Sequence, residues 1–271
     1  MKKRILILGA SGFLGGHIYR ELCPYYDTYG TYFTNTSFAD NQHFCYFNVD
    51  TDPIESIIQA VKPSCIISAI RGNFQEQIEL HQEIMTIITK RDIRVIFLSS
   101  ANVFDAFSNF PSYEYDKTLS ESIYGRFKIK IENMLLRLPV WQYVIVRLPM
   151  VFGNNSPRLN ELKQFLQHHE AYEVFPDLVM NVTAADLVAR QIHYLLNRYK
   201  SGIYHPGSND LIHHDEFIRE ITEELGYEKP LFKNVYTRNT DRFLAVLPKD
   251  NKLPEQYQVA VADVIKSSVL R

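Results

Sequence analysis

The sequence predicts an open, doubly wound parallel α/β sheet with a smaller C-terminal lobe. Three observations predict this fold: short apolar runs recur through the first half of the chain, segments with helical periodicity separate them, and a glycine-rich loop follows the first run. Apolar runs without polar alternation are typical of strands buried on both faces, as in parallel sheets. The alternation of strand and helix indicates right-handed crossover connections.

The elements of the first half follow from these runs. We predict strands at residues 5–8, 28–33, 65–68, 95–98 and 143–147. We predict helices at residues 16–22, 54–61, 77–90 and 124–138. This part, residues 1–150, is the predicted dinucleotide-binding domain of Rossmann type.

The second half begins with a loop signal at residues 154–157. We predict helices at 158–169, 184–197 and 214–225, with Gly226 as a C-terminal cap, and a strand at 202–205. The tail from Tyr236 is less regular. Residues 151–271 are predicted to form mainly a substrate-binding lobe, interleaved with the first domain.

Composition excludes several classes of protein. The 271 residues are 46% hydrophobic and 22% charged, with a net charge of −2, so the chain can bury a core and has no basic stripe for nucleic acid. The odd count of three cysteines favours free thiols in a reducing compartment. The first apolar run is too short for a secretory signal, and no run is long enough to span a membrane. We therefore expect a cytoplasmic protein with no membrane partner, and no metal site, because the two adjacent histidine pairs lack ligand spacing.

The glycine-rich loop has the pattern G-x-x-G-x-x-G. Gly9 permits the tight turn after the first strand, Gly12 lets the backbone approach a pyrophosphate, and Gly15 allows the helix to pack closely on the sheet. The N-terminus of the following helix offers free N–H groups and a positive dipole to phosphates. The context predicts a dinucleotide site.

The end of the second predicted strand bears on which dinucleotide is bound. NAD-binding proteins usually carry an acidic residue there for the ribose 2′-OH, whereas this strand ends in residues 32–35 with no acidic residue. No Arg or Lys lies there either. The absence of a repelling carboxylate favours NADP and leaves NAD as the alternative.

A Tyr-x-x-x-Lys pair, Tyr124 and Lys128, lies on a predicted helix after the Ser99-Ser100 strand end. The spacing puts both side chains on one helical face. A phenol with a pKa near 10 keeps its proton at neutral pH and can donate it to a developing alkoxide. A nearby ammonium favours the remaining phenolate. Ser100 can orient the substrate oxygen, so this set suits carbonyl reduction.

These residues and several neighbouring segments resemble the extended short-chain dehydrogenase/reductases, and within them the dTDP-4-dehydrorhamnose reductase branch. Residues 99–105 resemble its S-T-D-Y-V-F-D segment, residues 111–116 its P-Y-x-E-x-D stretch, and residues 146–153 its L-R-x-x-W-V-Y-G segment. Tyr124, Gly125 and Lys128 match Y-G-x-S-K, with Phe127 where Ser is usual.

The resemblance implies roles for individual residues. Ser100, Tyr124 and Lys128 would be the catalytic residues. The residues implied to bind the dinucleotide are Gly9, Ser11, Gly12, Phe13, Leu14, Gly15, Asn48, Val49, Ala69, Ser99, Tyr124 and Lys128. The residues expected on the substrate side are Asn102, Pro149, Met150, Val151 and Arg158.

The departures from the branch fall on the substrate side. Ala101-Asn102 replaces an Asp-Tyr pair whose Tyr is expected to contact the sugar in that family, and Met150 replaces a Trp. The loop Ala69-Ile70-Arg71-Gly72 replaces Ala-Ala-Tyr-Thr. The resemblance thus implies retained proton transfer with an altered pocket, either for a different sugar or with lost activity.

The first of three functional hypotheses is NAD(P)-dependent reduction of a keto nucleotide sugar in glycan precursor biosynthesis. The second is an epimerase or dehydratase that recycles bound NAD, although Ala101-Asn102 supplies no acid for dehydration. The third is a catalytically inactive, dinucleotide-binding regulatory protein. A homodimer is the expected assembly, and a nucleotide sugar the expected partner.

Overall fold

The computed structural model of the protein describes residues 2–269. Within this range the strands, in chain order, are β1 (Arg4–Leu8), β2 (Asp27–Tyr32), β3 (Phe44–Tyr46), β4 (Cys65–Ser68), β5 (Arg94–Ser100), β6 (Tyr143–Leu148), β7 (Met150–Phe152), β8 (Tyr172–Val174), β9 (Leu178–Met180), β10 (Val182–Ala184), β11 (Gly202–Tyr204), β12 (Ile212–His213), β13 (Phe232–Asn234) and β14 (Arg242–Leu244). The α-helices are α1 (Phe13–Leu22), α2 (Ile54–Val61), α3 (Phe74–Ile88), α4 (Ile123–Leu135), α5 (Pro157–Gln167), α6 (Ala185–Asn197), α7 (His214–Glu224) and α8 (Val261–Val269).

The chain divides into two compact units, each built from three segments. Within the described residues, the first unit contains 2–99, 123–146 and 189–204, and the second contains 100–122, 147–188 and 205–269. The domain boundary placed at residue 150 from the sequence stays a prediction.

The first unit carries a parallel sheet whose described strands follow the order β11-β6-β5-β4-β1-β2-β3. The order reverses between β1 and β4, which is the topological switch point where ligands bind in open α/β sheets. The core strands are buried on both faces because their apolar runs lack polar alternation. This sheet confirms the predicted fold class.

One large apolar cluster holds the first unit together. The cluster includes strand residues such as Leu6 and Ile66, and helix residues such as Ile58, Ile84 and Ile131. Helices α2, α3 and α4 form because their apolar residues recur at helical spacing and face the sheet. The sheet edge that carries the glycine loop and the Lys128 contact is therefore built on a rigid core.

The second unit has its own core and only short strands among its described residues. β7 pairs with β10 in parallel, β9 pairs with β12 and β14, and β8 pairs with β13. Helices α5, α7 and α8 contribute buried residues such as Leu162, Phe217 and Val264 to one cluster. Helix α8 lies in the tail that the sequence pattern described only as less regular.

No helix between residues 2 and 269 combines the length and the apolar composition that crossing a bilayer requires.

Candidate active site

The glycine loop follows β1 in the first unit. Gly9 has a φ of +78°, a left-handed conformation that a side chain would strain, and a Cβ there would lie 2.9 Å from the carbonyl oxygen of Ala69. The Gly9 amide donates to the Thr31 hydroxyl at 2.8 Å, which ties the loop to β2. The loop is therefore fixed between β2 and the residue that follows β4.

Helix α1 begins directly after this loop. Gly12 is its N-terminal capping residue and brings no side chain to cover the first-turn amides, and it is exposed. A Cβ on Gly15 would lie 2.1 Å from the Gly9 oxygen, so the helix passes closer to the loop than any side chain permits. These contacts give Gly9 and Gly15 a steric reason, and the uncovered amides at Gly12 leave a helix N-terminus of the kind that binds phosphates. Ser11, Phe13 and Leu14 lie half-buried around it.

The end of β2 carries no acidic residue. β2 ends at Tyr32, Phe33 is 45% exposed, and the Asn35 side chain accepts hydrogen bonds from Ser37. Asn35 is thereby committed to capping its own short turn. The local structure repeats what the sequence indicated, because no carboxylate stands at this strand end to repel a 2′-phosphate.

Asn48, Val49 and Ala69 also lie in the first unit. Asn48 accepts a hydrogen bond from the Asp50 amide and its own amide donates to Asp52 at 2.8 Å, which holds the loop after β3. The Val49 side chain lies near Gly72, and Ala69 lies beside Gly9. Ala69 therefore adjoins the glycine loop, while the binding roles of all three residues stay predictions.

Tyr124 and Lys128 lie one turn apart on α4, in the first unit. The Lys128 ammonium is 5.7 Å from the centre of the Tyr124 ring and donates to the Leu98 carbonyl oxygen at 2.9 Å. Tyr124 is 38% exposed, whereas Lys128 is buried. The structure thus brings the predicted phenol and amine together and attaches the amine to the C-terminal end of β5.

Phe127 lies at the position where the resemblance implies a serine. Its ring stacks flat on Phe74, with centroids 4.6 Å apart and planes 4° apart. The Lys128 ammonium lies 4.9 Å from the Phe127 ring and 4.7 Å from the Phe97 ring. The surroundings of Lys128 are therefore largely aromatic.

Burial lowers the pKa of Lys128 to about 7, because an apolar environment disfavours the charged form. The negative charge of Glu132 opposes this shift, and the positive charge of Arg71 adds to it. A pKa near 7 means that the ammonium and the neutral amine are both populated at neutral pH. The charges around Lys128 therefore decide how much of it is cationic.

Glu132 was not identified from the sequence. It lies one turn beyond Lys128 on α4, is 1% exposed, and accepts a hydrogen bond of 2.5 Å from the Ser99 hydroxyl. The signal was present as an acidic residue four positions after the lysine, on the same helical face. Ser99, predicted to line the dinucleotide site, is thus bound through its side chain to α4.

Ser100 ends β5 and belongs to the second unit. Its hydroxyl donates to the Asn102 side-chain oxygen at 3.0 Å and accepts from the Asn102 amide. Asn102 also lines a cavity of about 390 Å³ within the second unit. The other residues lining this cavity are Asp105, Ser108, Glu121, Thr237, Arg238, Arg242, Phe243 and Leu244.

The two arginines of this cavity are held by hydrogen bonds and charge. The Arg238 side chain donates to Ser108 at 2.5 Å, and the Arg242 Nε lies 3.4 Å from the buried Asp177 carboxylate. Asp177 also accepts from the Thr237 amide and hydroxyl. Most of the residues that line the cavity are therefore polar, and they carry charges of both signs.

The remaining substrate-side predictions also lie in the second unit. Pro149 is buried beside Gly207, where an added Cβ would meet its ring at 2.9 Å, while Met150 and Val151 on β7 are half-buried. Arg158 is exposed in the first turn of α5. Burial lowers the pKa of His214, and the positive charges of Arg158 and Arg242 add to this shift. A substrate role for Asn102, Pro149, Met150, Val151 and Arg158 stays a prediction.

Across residues 2–269, no three His, Cys, Asp or Glu side chains converge as metal ligands would.

The family model described as RmlD substrate binding domain matches residues 2–255. The chain belongs to this family. The sequence resemblance implied a member of the dTDP-4-dehydrorhamnose reductase branch, and the match to the RmlD family confirms this prediction. No curated protein matches the sequence.

Solved structures share the RmlD-family fold at low sequence identity. A dTDP-4-dehydrorhamnose reductase from Bacillus anthracis, in complex with NADP, has a TM-score of 0.78 at 18% identity, covering 99% of both chains. A dTDP-4-dehydrorhamnose reductase from Clostridium acetobutylicum has a TM-score of 0.75 at 18% identity, covering 98% of both chains. UDP-glucuronic acid 4-epimerase from Bacillus cereus, in complex with NAD, has a TM-score of 0.78 at 16% identity, covering 98% of this chain and 97% of the other.

Proposed function

We propose that the chain is an NAD(P)-dependent oxidoreductase that reduces the keto group of a nucleotide sugar, with NADP as the favoured cofactor. The observation that carries this proposal is the pair on α4: Tyr124 and Lys128 lie one turn apart, and Lys128 is bound to the strand end at Leu98. A phenol beside a buried amine, in the fold unit that carries a dinucleotide loop, suits proton donation to a reduced carbonyl.

The first unit fits a dinucleotide on structural grounds. Glycine is required at Gly9 and Gly15 by backbone conformation and by close approach, and the start of α1 has no side chain over its amides. These residues would hold the pyrophosphate, while Lys128 would hold a ribose hydroxyl. When bound, the reduced nicotinamide supplies the hydride that reaches the keto carbon.

The chain's own groups supply the proton. Tyr124 gives its phenolic proton to the keto oxygen as the new C–H bond forms, and solvent later returns a proton to the phenolate. The Lys128 ammonium favours the phenolate electrostatically. Ser100 orients the substrate oxygen through its hydroxyl, which Asn102 holds in place.

Family membership and the neighbouring folds support this proposal. Structures named dTDP-4-dehydrorhamnose reductase share the fold, and one of them was solved with NADP, while a UDP-glucuronic acid 4-epimerase was solved with NAD. The absence of an acidic residue at the end of β2 favours NADP over NAD. A cytoplasmic location and a homodimeric assembly remain predictions from the sequence.

The test is turnover of a keto nucleotide sugar by wild type and by Tyr124→Phe. We expect NADPH oxidation by the wild type and a fall in kcat of roughly 100-fold or more in the variant, the usual contribution of a general acid. Tyr25→Phe is the matched control, because Tyr25 is also exposed in the first unit and should keep full activity.

Two outcomes would contradict the proposal. Purification with tightly bound NAD and no net NADPH oxidation would favour an epimerase or dehydratase. Cofactor binding without turnover of any dTDP- or UDP-keto sugar, together with a stable complex with another protein, would favour a regulatory role.

A further inference from the structure

Two side chains of α4 bind two consecutive residues of β5. The Lys128 ammonium donates to the Leu98 carbonyl oxygen at 2.9 Å, and the Glu132 carboxylate accepts from the Ser99 hydroxyl at 2.5 Å. Lys128 and Glu132 are four residues apart, so they share one face of the helix. The C-terminal end of β5 is therefore held by an amine and a carboxylate one helical turn apart.

The hydrogen bond from Ser99 does not by itself require a carboxylate at position 132. A neutral glutamine would accept the same hydrogen bond, whereas a carboxylate that is 1% exposed carries a large desolvation cost. Attraction to a nearby opposite charge offsets such a desolvation cost. Lys128, at 7% exposure and surrounded by the rings of Phe97 and Phe127, is the cation on the same helical face.

Two other titratable groups near Lys128 do not favour its ammonium form. Arg71, in the loop after β4, is a cation and lowers the pKa of Lys128. His81 on α3 has a pKa lowered to about 4 by burial, so it is neutral at pH 7. The pKa of Lys128 is lowered to about 7 by burial, and Glu132 is the group that raises it.

We propose that Glu132 is a positioning residue of the active site, which keeps Lys128 in its ammonium form and fixes the Ser99 side chain at the end of β5. This inference rests on the proposed function, because a charged Lys128 matters for reduction only if Tyr124 is the proton donor. It adds a residue to the proton-transfer set: the carboxylate acts through Lys128 and contacts neither substrate nor cofactor.

The test is the titration of Lys128 in the protein without ligands, followed through the ¹³Cε shift of labelled lysine and assigned with Lys128→Arg. We expect a midpoint near pH 7 in the wild type and a midpoint at least about one pH unit lower in Glu132→Gln, a tenfold loss of ammonium at a given pH above both midpoints. Glu132→Gln is isosteric and keeps an acceptor for Ser99.

Two matched variants separate charge from packing. Ser99→Ala removes the hydrogen bond and leaves the carboxylate, so the Lys128 midpoint should stay within about half a unit of the wild-type value. Glu132→Asp keeps the charge and should retain most of the wild-type midpoint, and it also serves if Glu132→Gln does not fold. Either of two results would overturn the proposal. One is an equal Lys128 midpoint in the wild type and in Glu132→Gln. The other is a shift of the Lys128 midpoint in Ser99→Ala that is as large as the shift in Glu132→Gln.

The second readout is the pH profile of reduction. Activity should fall as pH rises through the Lys128 midpoint, and in Glu132→Gln this upper limb should move to lower pH by the same amount as the titration. Because the titration uses neither substrate nor cofactor, it judges the role of Glu132 even if no keto sugar is reduced. A chain that fails to turn over substrate but shows the Glu132→Gln shift would refute the proposed function alone.

Discussion

Two adjacent glycines of α1 face different surroundings. A Cβ on Gly15 would lie 2.1 Å from the Gly9 oxygen and 3.0 Å from the Ala10 Cα, and both are backbone atoms that cannot move cheaply. A Cβ on Gly16 would lie 3.5 Å from the Ala10 oxygen and 3.6 Å from an Arg20 nitrogen, which are ordinary contacts. Only the first glycine is therefore required by sterics.

We expect opposite signs from alanine at these two positions. Gly15→Ala should lower the free energy of unfolding by roughly 1–3 kcal/mol, the usual cost of overpacking, and weaken NADPH binding by displacing the loop. Gly16→Ala should raise the free energy of unfolding by about 0.5–1 kcal/mol, because alanine is the better helix former. Urea denaturation and NADPH titration of both variants would measure this, and shifts of the same sign would argue against the loop geometry.

The sequence was informative about residues with a recognisable spacing and silent about those defined by packing. The glycine triplet and the Tyr-x-x-x-Lys pair have fixed spacings, so both could be proposed before the fold was known. The need for glycine at Gly30 could not be predicted from the sequence. It arises because a Cβ there would lie 2.5 Å from an Ala10 atom and 2.8 Å from a Phe44 atom. Such contacts depend on which strands become neighbours.

At the scale of elements, the sequence predicts the longer strands and helices but not the short strands. The predicted strand at residues 65–68 matches β4, and the predicted helix at 54–61 matches α2, because uninterrupted apolar runs and helical periodicity are strong signals. β3 and the short strands of the second unit were missed. Segments of two or three residues are too short to show a period, and their pairing is set by tertiary contacts.

The pair of stacked rings between α3 and α4 gives a prediction at this scale. Phe127 is 4% exposed and its ring lies flat on Phe74, so a serine at this position would leave a void between the two helices. Phe127→Ser should cost about 3–5 kcal/mol of unfolding free energy, as for loss of a buried phenylalanine. Phe127→Leu should cost less, because it keeps most of the apolar volume.

Chemical denaturation of both variants measures this difference. The loss of unfolding free energy also tests whether Phe127 has a structural role. Substitution of a residue involved only in catalysis would change kcat and leave the midpoint of unfolding unchanged. Equal unfolding free energies for wild type and Phe127→Ser would contradict the packing described between α3 and α4.

For the whole molecule, buried neutral histidines link stability to pH in both units. Burial lowers the pKa of His81 in the first unit to about 4, and that of His214 in the second unit to about 4, with the charge of Arg158 adding to the shift. Burial also lowers the pKa of His205, and Arg147 adds to it. Each imidazole is therefore neutral in the folded chain at a pH where the unfolded chain binds a proton.

The sign of the pH dependence follows from these shifts. Between pH 6.5, the ordinary histidine value, and about pH 4, the unfolded state binds more protons than the folded state, so stability falls as pH falls. Each such histidine contributes a slope of up to about 1.4 kcal/mol per pH unit. We expect the unfolding free energy to drop between pH 7.5 and pH 5, before most carboxylates titrate.

The His81→Asn variant tests the contribution of one of these histidines. Its unfolding free energy should fall less over this pH range, by about the contribution of one histidine, because asparagine binds no proton. This holds whatever the stability of the variant at pH 7.5. Urea denaturation at half-unit pH intervals would measure both curves, and parallel curves for wild type and His81→Asn would mean that His81 is not held neutral by its burial.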